Sequence, residues 1–199
     1  MTRILKLGLT GGIGAGKSTI AEIFEVLNIP IYSADQRARY LMEHDPILIM
    51  GVKNLLGSQS YDDSESLNRN WVAERVFADH DLLTQLNFLV HPAVTMDGDH
   101  WHTQQSDVPF TLKEAALTFE SGQYLKLDAV ISVEAPEKIR IERVMRRDGV
   151  SASAVKSRME HQWPEDRRRM MADFVIENDG LHPLIPQVWS IYQQILTLK

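Results

Sequence analysis

Short apolar runs alternate along this chain with longer stretches whose apolar residues recur every three or four positions. Residues 5–9 form the first run and predict a buried strand. Over residues 18–27, Ile20, Ile23, Phe24 and Leu27 fall on one helical face. Residues 29–32 predict a second strand, ending at Ser33-Ala34-Asp35. Residues 110–116 predict a third, interrupted by Lys113 and Glu114. Residues 129–133 predict a fourth and 174–176 a fifth, which closes at Glu177-Asn178-Asp179-Gly180. Residues 186–198 carry Val188, Ile191, Tyr192, Ile195 and Leu196 at helical spacing. Strands alternating with helices predict an α/β fold built on a parallel sheet.

Two intervals break the rhythm. Residues 45–107 lack a good strand and read as several helices, including 67–77 and 81–89; residues 97–107 read as polar and irregular. Residues 137–147 and 152–162 form a second, arginine-rich helical insertion. The expected organisation is a core of 1–44, 108–136 and 172–199, a helical subdomain of 45–107 and a lid of 137–171.

Between the first strand and the first helix stands Gly11-Gly12-Ile13-Gly14-Ala15-Gly16-Lys17-Ser18, a complete G-x-x-x-x-G-K-[ST] phosphate loop. Glycines let the backbone wrap an anion with its N–H groups turned inward. The following helix adds unpaired N–H groups and the positive end of its dipole. Lys17 supplies a mobile charge for the β- and γ-phosphates, and the Ser18 hydroxyl suits Mg²⁺, which prefers oxygen ligands. Gly12 through Thr19 are therefore the candidate nucleotide-binding residues. A chance glycine-rich turn is the competing reading; the strand and helix on either side argue against it.

In open parallel sheets the ligand lies beyond the carboxyl ends of the strands. That rule places Asp35, residues 114–120, Glu134 and Asn178 on the rim of the phosphate loop. Asp35 suits a helix N-cap, and equally a general base for the hydroxyl that attacks the γ-phosphate; the two roles are compatible. Glu120 is a candidate for holding substrate or Mg²⁺-bound water. Glu134 ends a strand as a Walker-B acid does, but Pro136 and Glu137 after it look like a helix start. Arg140, Arg143, Arg146, Arg147, Arg158 and Arg167-Arg168-Arg169 cluster in the second insertion. A solvated face balanced by Glu137, Glu142, Asp148 and Glu160 accounts for part of them. The rest suit a lid that carries cations to a triphosphate.

Composition adds limits. Of 199 residues, 44% are hydrophobic and 24% charged, an ordinary globular balance. The net charge of −6 predicts no bulk attraction to nucleic acid or an anionic membrane. The absence of cysteine rules out disulfides and thiol catalysis. No signal-peptide pattern and no membrane-length apolar run are found, so the expectation is a cytoplasmic protein. The seven histidines lack zinc spacing and read as ordinary surface or core residues, although His91-Pro92 suits a substrate pocket. No Asn is followed by Lys, so a guanine-reading Asn-Lys-x-Asp element is missing, and ATP is favoured over GTP.

The chain resembles the dephospho-coenzyme A kinase family nearly end to end. Residues 9–19 are close to that family's opening signature, and Ala34-Asp35 is similar to the end of its Asp-Ala-Asp element. Leu67-x-Arg69 through Val76-Phe77 and His91-Pro92 resemble its substrate-binding part. Leu117-x-x-Glu120, Arg143 to Asp148, Gln162, Ala172-Asp173 and Ile176-x-Asn178-x-Gly180 match its later elements. The resemblance implies a P-loop fold with a five-stranded parallel sheet, a helical coenzyme-A-binding subdomain and a helical lid. It implies transfer of the ATP γ-phosphate to the 3′-hydroxyl of dephospho-coenzyme A, with Mg²⁺; the expected form is a monomer or weak homo-oligomer. On this reading Asp35 is the base, Lys17, Arg143 and Arg147 serve the transfer, Asp35, His91 and Glu120 meet the acceptor, and Asn178 and Gly180 lie near adenine. Ser33 replaces the first Asp of the family pattern, and Ala116 stands where proline is common. Another small-molecule kinase on this scaffold, or a nucleotide switch without catalysis, are the alternatives.

Overall fold

A computed structural model describes residues 3–198. In chain order the elements begin with β1 (Leu5–Gly11), α1 (Lys17–Val26) and β2 (Ile31–Ser33). Four helices follow: α2 (Ala34–His44), α3 (Pro46–Leu56), α4 (Arg69–Ala78) and α5 (His80–Thr103). Then come β3 (Phe110–Glu114), β4 (Ala129–Glu134), α6 (Glu137–Asp148), α7 (Ala152–Met159), α8 (Glu165–Met171), β5 (Phe174–Glu177) and α9 (Leu184–Leu196). The chain divides into two compact units, Met1–Tyr32 with Gln105–Lys199, and Ser33–Gln104.

The first unit carries a five-stranded parallel sheet in the order β2-β3-β1-β4-β5. β1 is central and parallel to both β3 and β4, with Leu7 opposite Leu112 on one side and Leu9 opposite Ile131 on the other. β1 alternates Leu5, Leu7 and Leu9 with Lys6, Gly8 and Thr10, whereas β4 opens on Ala129-Val130-Ile131 and is buried along its whole length, as a strand covered on both faces is. Phe24 of α1 meets Phe110 of β3 edge-on, with ring centroids 6.0 Å apart. Ile20 and Phe24 are fully buried with Val188 and Ile195 of α9, so the predicted faces of both helices line this core.

The second unit is helical. Asp45 caps α3, accepting from the N–H groups of Ile47 and Leu48, and Pro46 opens the helix where its missing N–H costs nothing. Asp79 caps α5 in the same way through Asp81 and Leu82. α2 belongs to this unit: Arg37 grips Asp97 of α5 with two hydrogen bonds of 2.9 and 2.7 Å, and the Tyr61 hydroxyl donates to the Met42 carbonyl. The unit therefore begins at Ser33, whereas the sequence pattern puts its start at residue 45.

Residues 97–103, expected to be irregular, are the last two turns of α5. Pro92 lies inside that helix without ending it. Leu86, Val90 and Val94 are buried at four-residue spacing on both sides of the proline, so the packed stripe carries the helix through.

Candidate functional site

The phosphate loop leaves the end of β1 and enters α1 at Lys17. Gly14 and Gly16 take left-handed φ values of 80° and 96°. The Ala15 N–H donates to the Gly12 carbonyl at 2.9 Å, closing the turn. Gly16 holds the N-cap position, so the N–H groups of Lys17, Ser18 and Thr19 open the helix without intrahelical partners. Ser18 and Thr19 are exposed, and the Lys17 ammonium donates to the Gly11 carbonyl at 3.2 Å.

Protein groups crowd the loop from behind. A Cβ on Gly16 would stand 2.2 Å from Asn178 Nδ2, and one on Gly12 would stand 2.5 Å from the Arg140 guanidinium. Asn178, directly after β5, donates to the Ala15 carbonyl at 2.7 Å. Arg143 of α6 donates to the Asn178 carbonyl and side-chain oxygen at 3.1 and 3.2 Å and reaches the Ala15 carbonyl at 3.4 Å. Asn178, Arg143 and the loop thus form one hydrogen-bonded group.

Gly180 sits in the turn that follows, with φ 85°. There Asp179 accepts from the N–H groups of Leu181 and His182. These backbone bonds, that of His182 foremost, hold its carboxyl down to about 2. The Asp179 carboxylate in turn raises the His182 imidazole above its ordinary value.

Below the loop lies a buried ion pair. Arg168 of α8 donates to both oxygens of Glu134, at 2.7 and 3.3 Å, and the Ser132 hydroxyl donates to the same carboxylate. Glu134 is thereby engaged inside the protein, which supports the helix-start reading over a Walker-B role. Arg140 is buried beside the pair and donates to the Ala135 carbonyl at 2.9 Å. Burial first, and then the neighbouring Arg168 charge, lower its proton affinity. Burial likewise raises the Glu165 carboxyl, with Glu134 adding to the effect. A cavity of about 660 Å³ opens between α6, α7 and α8, with Arg140, Lys156, Gln162, Glu165 and Arg168 among its walls.

The segment joining α7 to α8 returns to the loop. Gln162 accepts from the Ile13 N–H at 2.7 Å and donates to the Ala116 carbonyl at 2.9 Å. Glu120 Oε1 accepts from the Trp163 N–H at 2.7 Å, while its Oε2 is buried with no partner among the described residues. The Trp163 ring stacks on Phe119, and the Arg167 guanidinium lies 3.4 Å from the Trp163 ring centre.

Three candidates remain. Arg147 is exposed on the last turn of α6 and is paired with Asp148, which also takes Arg158. Asp35 lies in the helical unit, exposed in the first turn of α2. The N-cap there is Ser33, so Asp35 is not the cap; its charge complements the helix dipole instead. His91 is half-buried in α5, just before Pro92. In the sequence Arg140 and Arg168 stand only as members of the arginine cluster, and Trp163 carries no motif signal. Their partners lie far along the chain, and an arginine cluster gives no sign of which members go inside.

Comparison with known proteins decides the family. The dephospho-CoA kinase family model matches residues 5–183, which spans both units. The chain belongs to the dephospho-CoA kinase family. A relative named dephospho-CoA kinase from Porphyromonas gingivalis is 39% identical over 198 residues, covering 98% of this chain and 96% of its own. The solved dephospho-CoA kinase from Campylobacter jejuni is 25% identical with a TM-score of 0.69, covering 96% of this chain and 97% of that one. The crystal structure of TT1252 from Thermus thermophilus is 29% identical with a TM-score of 0.85, covering 97% and 98%. The P-loop fold and parallel sheet expected from the sequence agree with these neighbours.

Proposed function

We propose that this chain is an ATP-dependent kinase that transfers the γ-phosphoryl group of ATP to the 3′-hydroxyl of the dephospho-coenzyme A ribose, the last step of coenzyme A synthesis. The observation that carries the reading is the phosphate loop: left-handed Gly14 and Gly16 set at the N-terminus of α1, with Lys17 and Arg143 beside them.

Each residue then has a task. Residues 12–19, through the N–H groups that the turn itself does not use, and the Lys17 ammonium hold the phosphates. Arg143, fixed by Asn178 and Ala15, brings a cation to the group in transfer. Arg147 is the second lid cation and would exchange Asp148 for phosphate. Asn178 and Gly180 shape the loop near adenine. The exposed Ser18 hydroxyl fits Mg²⁺, a hard cation that takes oxygen donors. Bound Mg²⁺ would screen the negative charge of the phosphates.

Asp35 accepts the proton of the 3′-hydroxyl as that oxygen bonds to the γ-phosphorus. The bond to the oxygen bridging the β-phosphate breaks, and ADP leaves. His91 and Glu120 contact the acceptor; Glu120 keeps Oε2 for this, because Oε1 is taken by Trp163. Closure of α6–α8 excludes water, which would otherwise take the phosphoryl group.

The net charge of −6 supports an enzyme that acts without nucleic acid. Among the described residues no helix is long and apolar enough to cross a membrane. We place the enzyme in the cytoplasm, active as a monomer or weak homo-oligomer.

Mass spectrometry of products after incubation with Mg-ATP and a panel of acceptors tests the reading. Phosphorylated dephospho-coenzyme A together with ADP is the expected result. ATP hydrolysis alone, or preference for another acceptor, overturns it.

A further inference from the structure

The carboxamide of Gln162 spans two distant parts of the first unit. Its oxygen accepts from the Ile13 N–H at 2.7 Å, and its nitrogen donates to the Ala116 carbonyl at 2.9 Å. The orientation follows from the partners: an N–H faces one end of the amide and a carbonyl faces the other, so the flipped amide would lose both bonds.

Ile13 lies inside the G-x-x-x-x-G-K stretch, whose backbone N–H groups are the loop's anion donors. An amide oxygen offers this N–H the same kind of lone pair as a phosphate oxygen. One N–H cannot serve two acceptors at full strength.

Resting on the reading that this loop binds nucleotide, we propose that Gln162 is a positioning residue of the phosphate loop, its carboxamide oxygen competing with a nucleotide phosphate oxygen for the Ile13 N–H. Nucleotide arrival releases Gln162 from the loop. The released segment is the one that carries Trp163, held by Glu120 Oε1 and by stacking on Phe119. Occupation of the loop is thereby reported to the junction of α7 and α8 through one side chain. That junction needs a residue with both a donor and an acceptor, long enough to reach from 162 to 13.

The test is calorimetric binding of the non-hydrolysable analogue AMP-PNP with Mg²⁺ to three variants of the full chain. Q162M keeps the volume of the side chain and removes the competitor. Binding should tighten by about 2- to 10-fold, the range set by one neutral hydrogen bond. Q162N draws the amide back by one methylene and should tighten binding in the same direction. Q162E makes a stronger acceptor for Ile13 and repels phosphate, so binding should weaken by about 10-fold or more.

Opposite shifts of Q162M and Q162E are the signature of competition. Shifts in the same direction, or none in either, overturn the proposal and leave Gln162 as a packing residue. Absence of AMP-PNP binding by the parent chain overturns the nucleotide reading itself, and this inference with it.

Discussion

Replacing Arg168 by methionine would leave Glu134 buried without its main counter-charge. Both side chains are 2% exposed, and the pair is joined by two hydrogen bonds, the shorter 2.7 Å. Removing one partner of such a pair costs about 3–5 kcal/mol, because the other charge stays behind in a medium that solvates it poorly. Here the lower end applies. The Ser132 hydroxyl still donates to Glu134, and the Arg140 charge lies close enough to interact with Glu134. A loss of about 3 kcal/mol should lower the melting temperature by about 6–12 °C in a chain of this size. E134L/R168M removes both charges, and swapping a buried pair for apolar residues is often close to neutral. The double variant should therefore be more stable than R168M alone, less about 1–2 kcal/mol for the Ser132 hydroxyl left without Glu134 and the Trp163 carbonyl, to which Arg168 donates, left without that donor. Urea denaturation followed by circular dichroism measures the parent chain, R168M, E134L and E134L/R168M. If R168M lies within about 1 kcal/mol of the parent, or the double variant loses the sum of the single losses, the reasoning about this pair is wrong.

Three further outcomes are expected. D35N should bind a non-hydrolysable ATP analogue near normally and lower turnover by about 10² to 10⁴, as loss of a general base does; unchanged steady-state turnover removes Asp35 from that role. G16A forces a side chain into a φ of 96° and sets its Cβ 2.2 Å from Asn178 Nδ2. We expect a stability loss of about 1–3 kcal/mol and nucleotide binding too weak to detect by calorimetry, and G16A with parent-like affinity would contradict the tight packing of Asn178 on the loop. In an NMR titration the His182 imidazole should titrate above its ordinary value of 6.5 and move down towards it in D179N. The signs follow from the two shifts. His182 stabilises the folded turn below pH 6.5, and this is lost as pH rises through its raised value; Asp179 stabilises it above its ordinary 3.8, and this is lost as pH falls towards 2.

The parts of this protein that could be read from its sequence are those whose cause is local. The phosphate loop is eight contiguous residues, and each of the five strands is a short segment marked by its own apolar residues. The apolar faces of α1 and α9 follow from spacing within a single helix. α5 shows where local reading stops. Pro92 signals an end, and Asp97, Asp99, His100 and His102 make the next turns look like a loop. What holds the helix there is tertiary: Val90 and Val94 are buried on either side of the proline, and Arg37 of α2 pairs with Asp97. The stripe Leu86, Val90, Val94 is the signal in the sequence that favours a continuous helix.

The arginines make the same point about chemistry. Arg140, Arg143, Arg147 and Arg168 are alike in sequence, yet two are buried against Glu134 and Ala135, one braces Asn178, and one lies exposed on Asp148. No spacing rule separates them, because each fate is set by a partner elsewhere in the fold. The glycines of the loop have a double cause for the same reason. A motif argument assigns them to the approach of phosphate. In the folded chain a Cβ on Gly12 or Gly16 would first meet Arg140 or Asn178. The small residues that open the front of the loop to an anion also let α6 and the turn after β5 close its back. Groups already in hydrogen-bond contact with the loop hold its backbone in place, so the N–H groups of Lys17, Ser18 and Thr19 that open α1 are aimed before any phosphate arrives.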